Sequence, residues 1–468
     1  METKLQFLGA TQNVTGSRYL LETNGKRFLI DCGLYQERKF KARNWEPFTI
    51  PPEQIDAVLL THAHLDHCGL LPKLAKEGFR GAVYCTKATC EIARIVLEDA
   101  ARIQVEDAEY KRKRHKREGR RGPHHVVPLY TVEDAKACQT LFRPLKYNES
   151  VSVAEGIRVS YFDTGHILGA SAIQVTTTEN GKEQTIVFSG DVGRWDKPIL
   201  QDPDTFEQAD YILCESTYGD RIHPQGSDIK RELCDIVNET YKAGGNIVIP
   251  SFAVERAQEL LYYLSELLEE KCIPHLLVFL DSPMAVAVTK VFDIHQELYD
   301  DDMMQRLYEG SSPFGFPGLS LVGTTQQSKS INSIRGTAII IAGSGMCTGG
   351  RIKHHLINNI TRPESTVLFV GYQAEGTLGR RIVEGEKEVR ILGRTFSVKA
   401  RIAQIQGFSA HADRDELMRW LSRVKQAPRH LFVVHGEVNA SEHFAYHVKD
   451  KKGWETSVPK HGDRVILK

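Results

Sequence analysis

The stretch LLTHAHLDHCG, residues 59–69, places three histidines and one aspartate within six positions, directly after an apolar run. Imidazole and carboxylate groups are the ligands expected of zinc and of similar ions. Four such side chains are costly to bury unless something binds them, so a solvated histidine-rich loop is the less favoured alternative. The pattern therefore predicts a metal site that includes His62, His64, Asp66 and His67.

Three more residues of ligand type stand where strand-like runs give way to glycine-bearing loops. His166 closes YFDTGH, Asp191 closes IVFSGD, and His435 lies in LFVVHG. Taken singly, each is more readily explained as a polar residue of a loop or of the core. Together with the first cluster they make seven ligands, which suit two metals that share a bridging carboxylate. Two metals about 3.5–4 Å apart can generate a hydroxide and stabilise both oxygens of a phosphoryl displacement.

Short β-branched runs and intervening helices must position these residues. Asn24-Gly25 and Asn180-Gly181 each stand between two strand-like halves, which is the strongest short signal for a hairpin. Residues 90–113 have the pattern of a helix. The predicted strands of this first part fall within residues 4–10, 17–33, 55–62, 81–86, 156–166, 170–191 and 211–217.

The pattern changes after about residue 217, where strands alternate with helices and end in polar or glycine-rich loops. Alternation of this kind predicts a mostly parallel, doubly wound sheet. Residues 310–318 form a Pro/Gly-rich loop, and residues 399–437 return to strand, histidine loop, helix and strand. The strands predicted for the middle part fall within residues 241–270, 275–283, 336–350 and 366–381.

Length and composition set the broad class. A chain of 468 residues is expected to form two or three domains, and 41% hydrophobic with 26% charged residues is typical of a soluble globular protein. The formal net charge of +0 means that any anionic partner must be held by a local patch. No signal-peptide pattern or membrane-length apolar run is seen, and the nine scattered cysteines do not indicate a disulfide scaffold. A cytoplasmic location is expected.

One candidate for such a patch is KRKRHKREGRR, residues 111–121, with eight Lys/Arg and one Glu. It could bind an RNA backbone without sequence preference. A solvated helix end or loop is a slightly better explanation. His124 and His125 follow the run but match none of the metal motifs, so they are left out of the predicted site.

These motifs carry a family resemblance. HAHLDH, GH at 165–166, SGD at 189–191 and the late VHG resemble the metallo-β-lactamase superfamily. Three further motifs resemble those known as A, B and C in its β-CASP branch of nucleic-acid nucleases: ESTYGDR (215–221), FSAHAD (408–413) and VHGE (434–437). The resemblance covers nearly the whole chain. Within this branch, the chain is similar to the compact, mostly bacterial group of enzymes that resemble the mRNA 3′-end cleavage factor.

The resemblance implies an α/β fold, an αββα metallo-β-lactamase sandwich with an inserted doubly wound α/β β-CASP domain. The implied division gives residues 1–216 to the first part of the metallo-β-lactamase domain, 217–395 to the β-CASP domain and 396–468 to the second part. The change of pattern near residue 217 agrees with this division.

The same resemblance implies two Zn²⁺ per chain, with Mn²⁺ able to take the same ligands. The implied ligands are three for one ion, three for the other and one bridge: His62, His64 and His166; Asp66, His67 and His435; and Asp191.

Four residues are implied to act in catalysis: Asp66, Asp31, Glu215 and His411. Asp31, in LIDCGL, matches an aspartate that orients the metal ligands without binding the metal. His411 of motif B would be the general acid, and Glu215 of motif A would hold it protonated and correctly aimed. Without the family, a helix-capping or loop carboxylate would explain Glu215 equally well.

Other positions bear on the substrate. In this family a histidine in motif C, here His435, accompanies RNA enzymes, whereas the DNA-repair members usually carry an apolar residue. AGSGMCTGGR and PSFAVERAQE resemble the family's phosphate-binding junctions, although glycines that merely make a turn and a solvated arginine are the plain alternatives. The residues predicted to bind substrate are Ser251, Arg256, Ser344, Gly345 and Arg351.

The predicted function is two-metal, zinc-dependent hydrolysis of single-stranded RNA that leaves 5′-phosphate and 3′-hydroxyl ends, by endonuclease or 5′-exonuclease action or both. The expected partner is RNA and not a membrane, with a homodimer as a further possibility. One alternative is a small-molecule hydrolase of thioesters or lactones, against which motifs A to C argue. Another is a catalytically dead RNA-binding scaffold, against which the complete ligand set argues.

Overall fold

The computed structural model describes residues 2–119, 126–179, 181–223 and 228–468. Asn180, His124 and His125, and the last two residues of the basic run, lie outside the described residues. The chain divides into two compact units. The first unit comprises Met1–Asp196, Asp202–Ile222 and His411–Lys468, and the second unit comprises Lys197–Gln201 and His223–Ala410.

The strands are numbered in chain order. They are β1 (Thr3–Gly9), β2 (Arg18–Thr23), β3 (Lys26–Ile30), β4 (Ala57–Leu59), β5 (Ala82–Thr86), β6 (Phe142–Leu145), β7 (Val151–Ala154), β8 (Ile157–Asp163), β9 (Ser171–Glu179), β10 (Lys182–Phe188), β11 (Tyr211–Glu215), β12 (Ile247–Pro250), β13 (Leu277–Asp281), β14 (Leu319–Leu321), β15 (Ala338–Ala342), β16 (Thr366–Phe369), β17 (Glu388–Ile391), β18 (Arg394–Ser397), β19 (Arg401–Gln404), β20 (His430–Val434), β21 (Thr456–Ser457) and β22 (Arg464–Leu467).

The helices are numbered in the same way, and short 3₁₀ turns lie between some of them. The α-helices are α1 (Leu65–Cys68), α2 (Leu71–Lys76), α3 (Lys87–Glu118), α4 (Val132–Gln139), α5 (Ile229–Ala243), α6 (Arg256–Glu269), α7 (Pro283–Ile294), α8 (Asp301–Tyr308), α9 (Thr325–Ser330), α10 (Ile352–Asn359), α11 (Leu378–Val383), α12 (Arg414–Trp420) and α13 (Val438–Lys452). The 3₁₀ turns are Lys41–Trp45, Pro52–Gln54, Gln296–Leu298, Ile331–Ser333 and Leu421–Arg423. No helix among the described residues is both long enough and apolar enough to cross a membrane.

Two seven-stranded sheets form the centre of the first unit. Their strand orders are β22-β1-β2-β3-β4-β5-β6 and β21-β20-β11-β10-β9-β8-β7. The inner faces of both sheets bury one shared apolar core, in which the rings of Phe7 and Phe432 lie 5.2 Å apart. On the outer face of the second sheet, Trp420 and Phe444 pack from α12 and α13, while α3 packs against β5 and β6 of the first sheet. The predicted αββα sandwich is confirmed.

Both predicted hairpins are present. Thr23 pairs with Lys26 across a two-residue turn, and Asn24 and Gly25 have φ of 49° and 74°. Two positive φ values define the type I′ turn, which matches the twist of the flanking strands and which Asn-Gly adopts readily. β9 and β10 also pair antiparallel, with Lys182 opposite Glu179.

The ends of several strands gather the polar loops of the first unit. β3, β4 and β5 are mutually parallel in one sheet, and β10, β11 and β20 are mutually parallel in the other. Parallel neighbours end at the same edge of a sheet. Asp31, the histidine loop, Asp191, Glu215 and His435 each follow or close one of these strands, so the fold brings them together.

The second unit contains a six-stranded sheet of order β14-β13-β15-β12-β16-β19, in which every pairing is parallel. Helices connect its strands, as the alternating pattern predicted. β19 pairs with β16, so this sheet continues past residue 395, the predicted end of the insert. By contacts, the chain enters the main part of the second unit at His223 and returns to the first unit at His411, and the short segment Lys197–Gln201 also belongs to the second unit.

Candidate metal centre

The histidine loop is held between a buried strand and a helical turn. All three residues of β4 are buried, and the chain remains buried through Leu60, Thr61 and His62. His64 occupies the N-cap position of α1, and that single turn carries Asp66 and His67. Because regular structure precedes and follows the loop, its side chains leave the backbone in fixed directions.

The first ligand group contains His62, His64, His166 and Asp191, which all offer donor atoms to one point. His64 Nδ1 lies 3.1 Å from His62 Nε2 and 3.2 Å from His166 Nε2. Asp191 Oδ2 lies 3.4 Å from the Nε2 atoms of both His62 and His166. Four bonds of 2.0–2.1 Å to a tetrahedral zinc would place the ligand atoms about 3.3 Å apart, so these donors fit such an ion.

The protonation of this group also fits a metal. Burial lowers the pKa of His62 and His166, and it lowers the pKa of His64 to about 3. The three imidazoles therefore stay neutral at ordinary pH, and a neutral imidazole nitrogen keeps the lone pair that a metal requires.

The second ligand group contains Asp66, His67 and His435. His67 Nε2 lies 3.1 Å from His435 Nε2, which lies 3.7 Å from Asp66 Oδ2. Burial opposes the charged form of Asp66, but the hydrogen bond with His435 and the nearby imidazoles outweigh it and hold the pKa of Asp66 low. The group thus joins one carboxylate to two imidazoles, a ligand set suited to a divalent cation.

Asp191 links the two groups. Its Oδ2 faces the first group, and its Oδ1 lies 3.3 Å from His67 Nε2 and 3.5 Å from His435 Nδ1. Oδ1 is buried and has no hydrogen-bond partner among the described residues. A buried carboxylate oxygen without a partner is costly, and a cation held by the second group would satisfy it. The residues present therefore fit a bridged pair of metal ions.

Asp31 fixes the histidines from outside the two groups. The carboxylate of Asp31 accepts hydrogen bonds from Ser17 Oγ at 3.1 Å and from the Thr61 backbone N–H at 2.8 Å, and its Oδ2 lies 2.6 Å from His67 Nδ1. Since a carboxylate accepts only, Nδ1 of His67 carries a proton and Nε2 faces the ligand group. Thr61 Oγ1 lies 3.0 Å from His62 Nδ1 and orients that ring in the same way.

Glu215 and His411 form a pair beside Asp191. Glu215 closes β11 and is fully buried, and it accepts hydrogen bonds from the backbone N–H of Val192 at 2.7 Å and of Thr217 at 3.2 Å. His411 Nδ1 lies 3.2 Å from Glu215 Oε1 and 3.9 Å from Asp191 Oδ2. Burial favours neutral His411, but Glu215 and Asp191 outweigh it and raise its pKa to about 9. This raised pKa favours the imidazolium form of His411 at neutral pH.

Two residues of the centre were missed by the sequence reasoning. Thr61 contacts His62, His67 and Asp31, and Thr217 Oγ1 lies 3.1 Å from His435 Nδ1. Each adjoins a recognised motif, Thr61 in THAHLDH and Thr217 in ESTYGDR. A hydroxyl next to a ligand motif is the signal that could have found them, because ligating histidines commonly bond a polar group through their second nitrogen.

The glycine-rich loop predicted to bind phosphate lies in the second unit, after β15. Ser344 Oγ accepts hydrogen bonds from the backbone N–H groups of Thr348 at 3.0 Å and Gly349 at 3.3 Å. Gly345 packs against the Phe252 ring so closely that an added Cβ would lie 2.9 Å from that ring. The loop is thus tightly built around Ser344, and Gly345 is required by packing whether or not phosphate binds there.

The structure gives Arg351 a partner within the chain. Its Nη1 donates to Asp281 Oδ1 at 2.6 Å, and its Nη2 donates to the Gly323 carbonyl at 2.8 Å. Asp281 is fully buried, and its Oδ2 accepts from Ser328 Oγ at 2.6 Å and lies 2.6 Å from His355 Nε2. The Arg351 guanidinium therefore ties the end of the glycine-rich loop to the neighbouring strand β13.

Ser251 and Arg256, at the other predicted junction, are likewise bonded within the second unit. Ser251 is buried, and its backbone N–H donates to the Ala342 carbonyl at 3.0 Å. Arg256 Nη1 donates to Glu259 Oε2 at 3.1 Å, and its guanidinium lies 5.3 Å from the centre of the Phe408 ring. A role of these residues in substrate binding stays a prediction.

Comparison with known families matches three parts of the chain. The models are the Metallo-beta-lactamase superfamily at residues 14–147, the Beta-Casp domain at 257–382 and the Zn-dependent metallo-hydrolase RNA specificity domain at 395–459. They follow one another in the order that the motifs predicted, and they support a metal cofactor for this chain.

Individual proteins are similar over most of their length. Ribonuclease TTHA0252 of Thermus thermophilus is 39% identical over 429 residues, which cover 92% of each protein. Transcription termination factor FttA of Methanocaldococcus jannaschii is 32% identical over 478 residues, covering 99% of this chain and 72% of that protein. A crystal structure of a protein of unknown function from Enterococcus faecalis V583 covers both chains fully, with a TM-score of 0.56 and 12% identity, and shows a shared fold alone. The sequence motifs, the fold and these relatives agree, and the chain belongs to the β-CASP family of metal-dependent enzymes in the metallo-β-lactamase superfamily.

Proposed function

We propose that the protein is a zinc-dependent ribonuclease that hydrolyses phosphodiester bonds of single-stranded RNA. The observation that carries this proposal is one buried carboxylate that faces two ligand groups, with His411 and its partner Glu215 beside it. Asp191 offers one oxygen to each group, and His411 Nδ1 lies 3.9 Å from Asp191 Oδ2. Phosphodiester hydrolysis gathers negative charge and releases an alkoxide, so it needs both positive charge and an acid.

The proposed cofactor is two Zn²⁺ per chain, with Mn²⁺ as an alternative. His62, His64 and His166 would hold one ion, Asp66, His67 and His435 would hold the other, and Asp191 would bridge them. Bound there, the ions would supply Lewis acidity for attack of water on phosphorus. The chain contributes by keeping donor atoms in place, through Asp31 on His67 and Thr217 on His435.

The proton for the leaving oxygen would come from His411. Its Nδ1 is held by Glu215, whose other hydrogen bonds come from backbone N–H groups and so fix the carboxylate in position. Glu215 and Asp191 outweigh burial in raising the pKa of His411 to about 9, so the acid form is present at neutral pH. A proton delivered to the ribose 3′ oxygen gives a 3′-hydroxyl end and leaves the phosphate on the 5′ end of the other product.

RNA is the substrate class that the comparisons favour. The RNA specificity domain matches residues 395–459, a span that includes both His411 and His435. The Thermus thermophilus protein is named a ribonuclease. The contacts proposed for RNA phosphates are Ser251, Arg256, Ser344, Gly345 and Arg351, with Arg351 acting by holding the glycine-rich loop to Asp281.

The test is cleavage of a labelled single-stranded RNA by the purified, zinc-loaded protein, with the same sequence in DNA beside it. We expect RNA to be cut, with 5′-phosphate and 3′-hydroxyl ends, and about two zinc ions per chain by elemental analysis. Substrates with a 5′-monophosphate, a 5′-triphosphate or no free end separate exonuclease from endonuclease action.

Two outcomes would replace the proposal. Turnover of a thioester or lactone without cleavage of RNA would make the protein a small-molecule hydrolase. RNA binding without cleavage, together with far less than one zinc per chain, would make it a binding scaffold.

A further inference from the structure

Helix α3 continues well beyond the part of the first unit that it packs against. Its buried residues run from Ala88 to Ala108, and none of residues 109–118 is buried. The helix stays regular to its end, where Gly119 has φ of 61° and donates its N–H to the His115 carbonyl. Residues 109–118 are therefore an exposed helical arm, and we refer to them as the α3 arm.

Positive charge surrounds the α3 arm on every side. Its sequence is EYKRKRHKRE, with six Lys/Arg and two Glu. Successive residues of a helix are turned by about 100°, so basic residues at six of the seven positions 111–117 cover the whole circumference. If only one face of a helix is basic and solvated, the opposite face is apolar or acidic. The α3 arm has no apolar or acidic face.

Repulsion between like charges should also destabilise the helix of the α3 arm. Like charges three or four positions apart destabilise a helix, and the arm contains five such pairs: Lys111/Arg114, Arg112/Lys116, Lys113/Lys116, Lys113/Arg117 and Arg114/Arg117. Favourable interaction with the helix dipole is confined to the last turn, so it does not explain Lys111, Arg112 or Lys113. An ion pair of 3.7 Å joins Arg114 Nε to Glu118 Oε1, and it involves one of the six cations.

We propose that the α3 arm binds the phosphate backbone of the RNA substrate at a distance from the metal centre. This inference rests on the proposed function, because it assigns the arm to the same substrate. A polyanion would relieve the repulsion among the arm's cations and would release its own counterions. The absence of a preferred side on the arm fits a backbone contact without sequence preference.

The start of α3 is anchored close to the segment that carries His166. Thr86 Oγ1 and Thr89 Oγ1 both donate to the Gly169 carbonyl at 2.7 Å, three residues after His166. From Thr89 to Lys113 the helix advances about 36 Å at 1.5 Å per residue. A stacked strand advances about 3.4 Å per nucleotide, so a span equal to this length of helix corresponds to about ten nucleotides.

The experiment compares two variants of equal charge change. The arm variant carries Arg112→Gln, Lys113→Gln and Lys116→Gln, since glutamine keeps high helix propensity. The matched control carries Lys146→Gln, Arg423→Gln and Lys449→Gln, three exposed residues elsewhere in the first unit. The KM and kcat for RNAs of 6 and 30 nucleotides are measured at several salt concentrations, and binding of the same RNAs is measured by fluorescence anisotropy.

We expect the arm variant to raise KM for the 30-nucleotide RNA about tenfold at low salt, with kcat unchanged and with no effect on the 6-nucleotide RNA. The slope of log affinity against log salt should become shallower by about 2, or roughly 0.7 for each of three lost contacts. An arm variant that matches the control on both lengths overturns the inference. If no RNA is cut but anisotropy still shows arm-dependent binding of the longer RNA, the proposed function fails while the arm remains an RNA-binding element.

Discussion

In the candidate metal centre of the first unit, strand-end side chains gather around the buried Asp191. In the second unit, another set gathers around the buried Asp281. Asp191 is surrounded by imidazoles at 3.3–3.9 Å, and its Oδ1 has no hydrogen-bond partner among the described residues. Asp281 instead receives Arg351, Ser328 and His355 at 2.6 Å each. The two buried aspartates therefore have different roles, although similar residue types surround them.

The difference separates a set of side chains that a cation would complete from a set that the chain completes by itself. A cation would complete the Asp191 group, because the imidazole nitrogens and the free carboxylate oxygen all face one region. Asp281 is already satisfied, so its role is to fix the glycine-rich loop. Substitutions at the first aspartate should therefore remove chemistry, and those at the second should mainly remove stability.

The largest effect is expected from Asp191→Ala. Removing the shared carboxylate takes one donor from each ligand group, so cleavage of RNA should fall by more than about a thousandfold, as when a main charge-stabilising group is lost. Bound zinc per chain, measured by elemental analysis, should fall with it. Normal zinc content in an inactive Asp191→Ala protein would show that Asp191 acts in catalysis without bridging metals.

A large effect without metal loss is expected from His411→Ala. Removing the proposed general acid should lower kcat about a hundredfold or more, while zinc content stays at the wild-type value because His411 is not one of the proposed ligands. Burial favours the neutral ring, but Glu215 and Asp191 outweigh it and raise the pKa of His411 to about 9. Wild-type activity should thus fall as pH rises through about 9, and the variant should lack this decline. A decline of equal size in both proteins would assign it to another group.

Asp31→Asn should have an intermediate effect. An amide can still accept from Thr61, but it no longer offers the charged partner that fixes the Nδ1 proton of His67. Loss of such an orienting partner commonly costs 10–100-fold in metal affinity or activity. Zinc competition with a chelator measures the affinity, and added zinc should restore part of the activity. Ser152→Ala, an exposed hydroxyl of the same unit, is the control and should change neither.

The smallest effect on cleavage is expected from Asp281→Asn, which should instead destabilise the protein. Breaking a buried charged pair costs about 3–5 kcal/mol. This loss should appear as unfolding at a lower urea concentration, with zinc content unchanged.

Burial raises the pKa of Asp281, but hydrogen bonds with His355, Ser328 and Arg351 outweigh it and lower that pKa. The stabilisation is therefore present above the unfolded-state pKa of about 3.9 and is lost as pH falls through the folded value. Loss of cleavage at full stability in Asp281→Asn would instead assign Asp281 to the chemistry; Asp301→Asn, on the exposed start of α8, is the control.

The parts of the structure that depend on local backbone and side-chain chemistry can be predicted from the sequence alone. The Asn24-Gly25 turn and the strand-to-ligand-loop pattern around His62 follow from backbone preferences and hydrophobic runs. Motif resemblance supplied the order of the domains. The partner of Arg351 could not be predicted, because Asp281 lies 70 residues away in sequence and only the parallel sheet brings them together. The pairing of β19 with β16, which extends the second unit past residue 395, is non-local in the same way.

The order in which the first unit is built along the chain has a consequence for the time of synthesis. Translation delivers the N-terminal residues first, so His62, His64 and Asp66 emerge long before His411 and His435, which follow the whole second unit. β22, which pairs with β1 at one edge of the first sheet, follows both of them in the chain. A nascent chain therefore lacks the proposed acid His411, the imidazole of His435 and this edge strand until the second unit has been made. The proposed centre can therefore assemble only after the second unit has been translated.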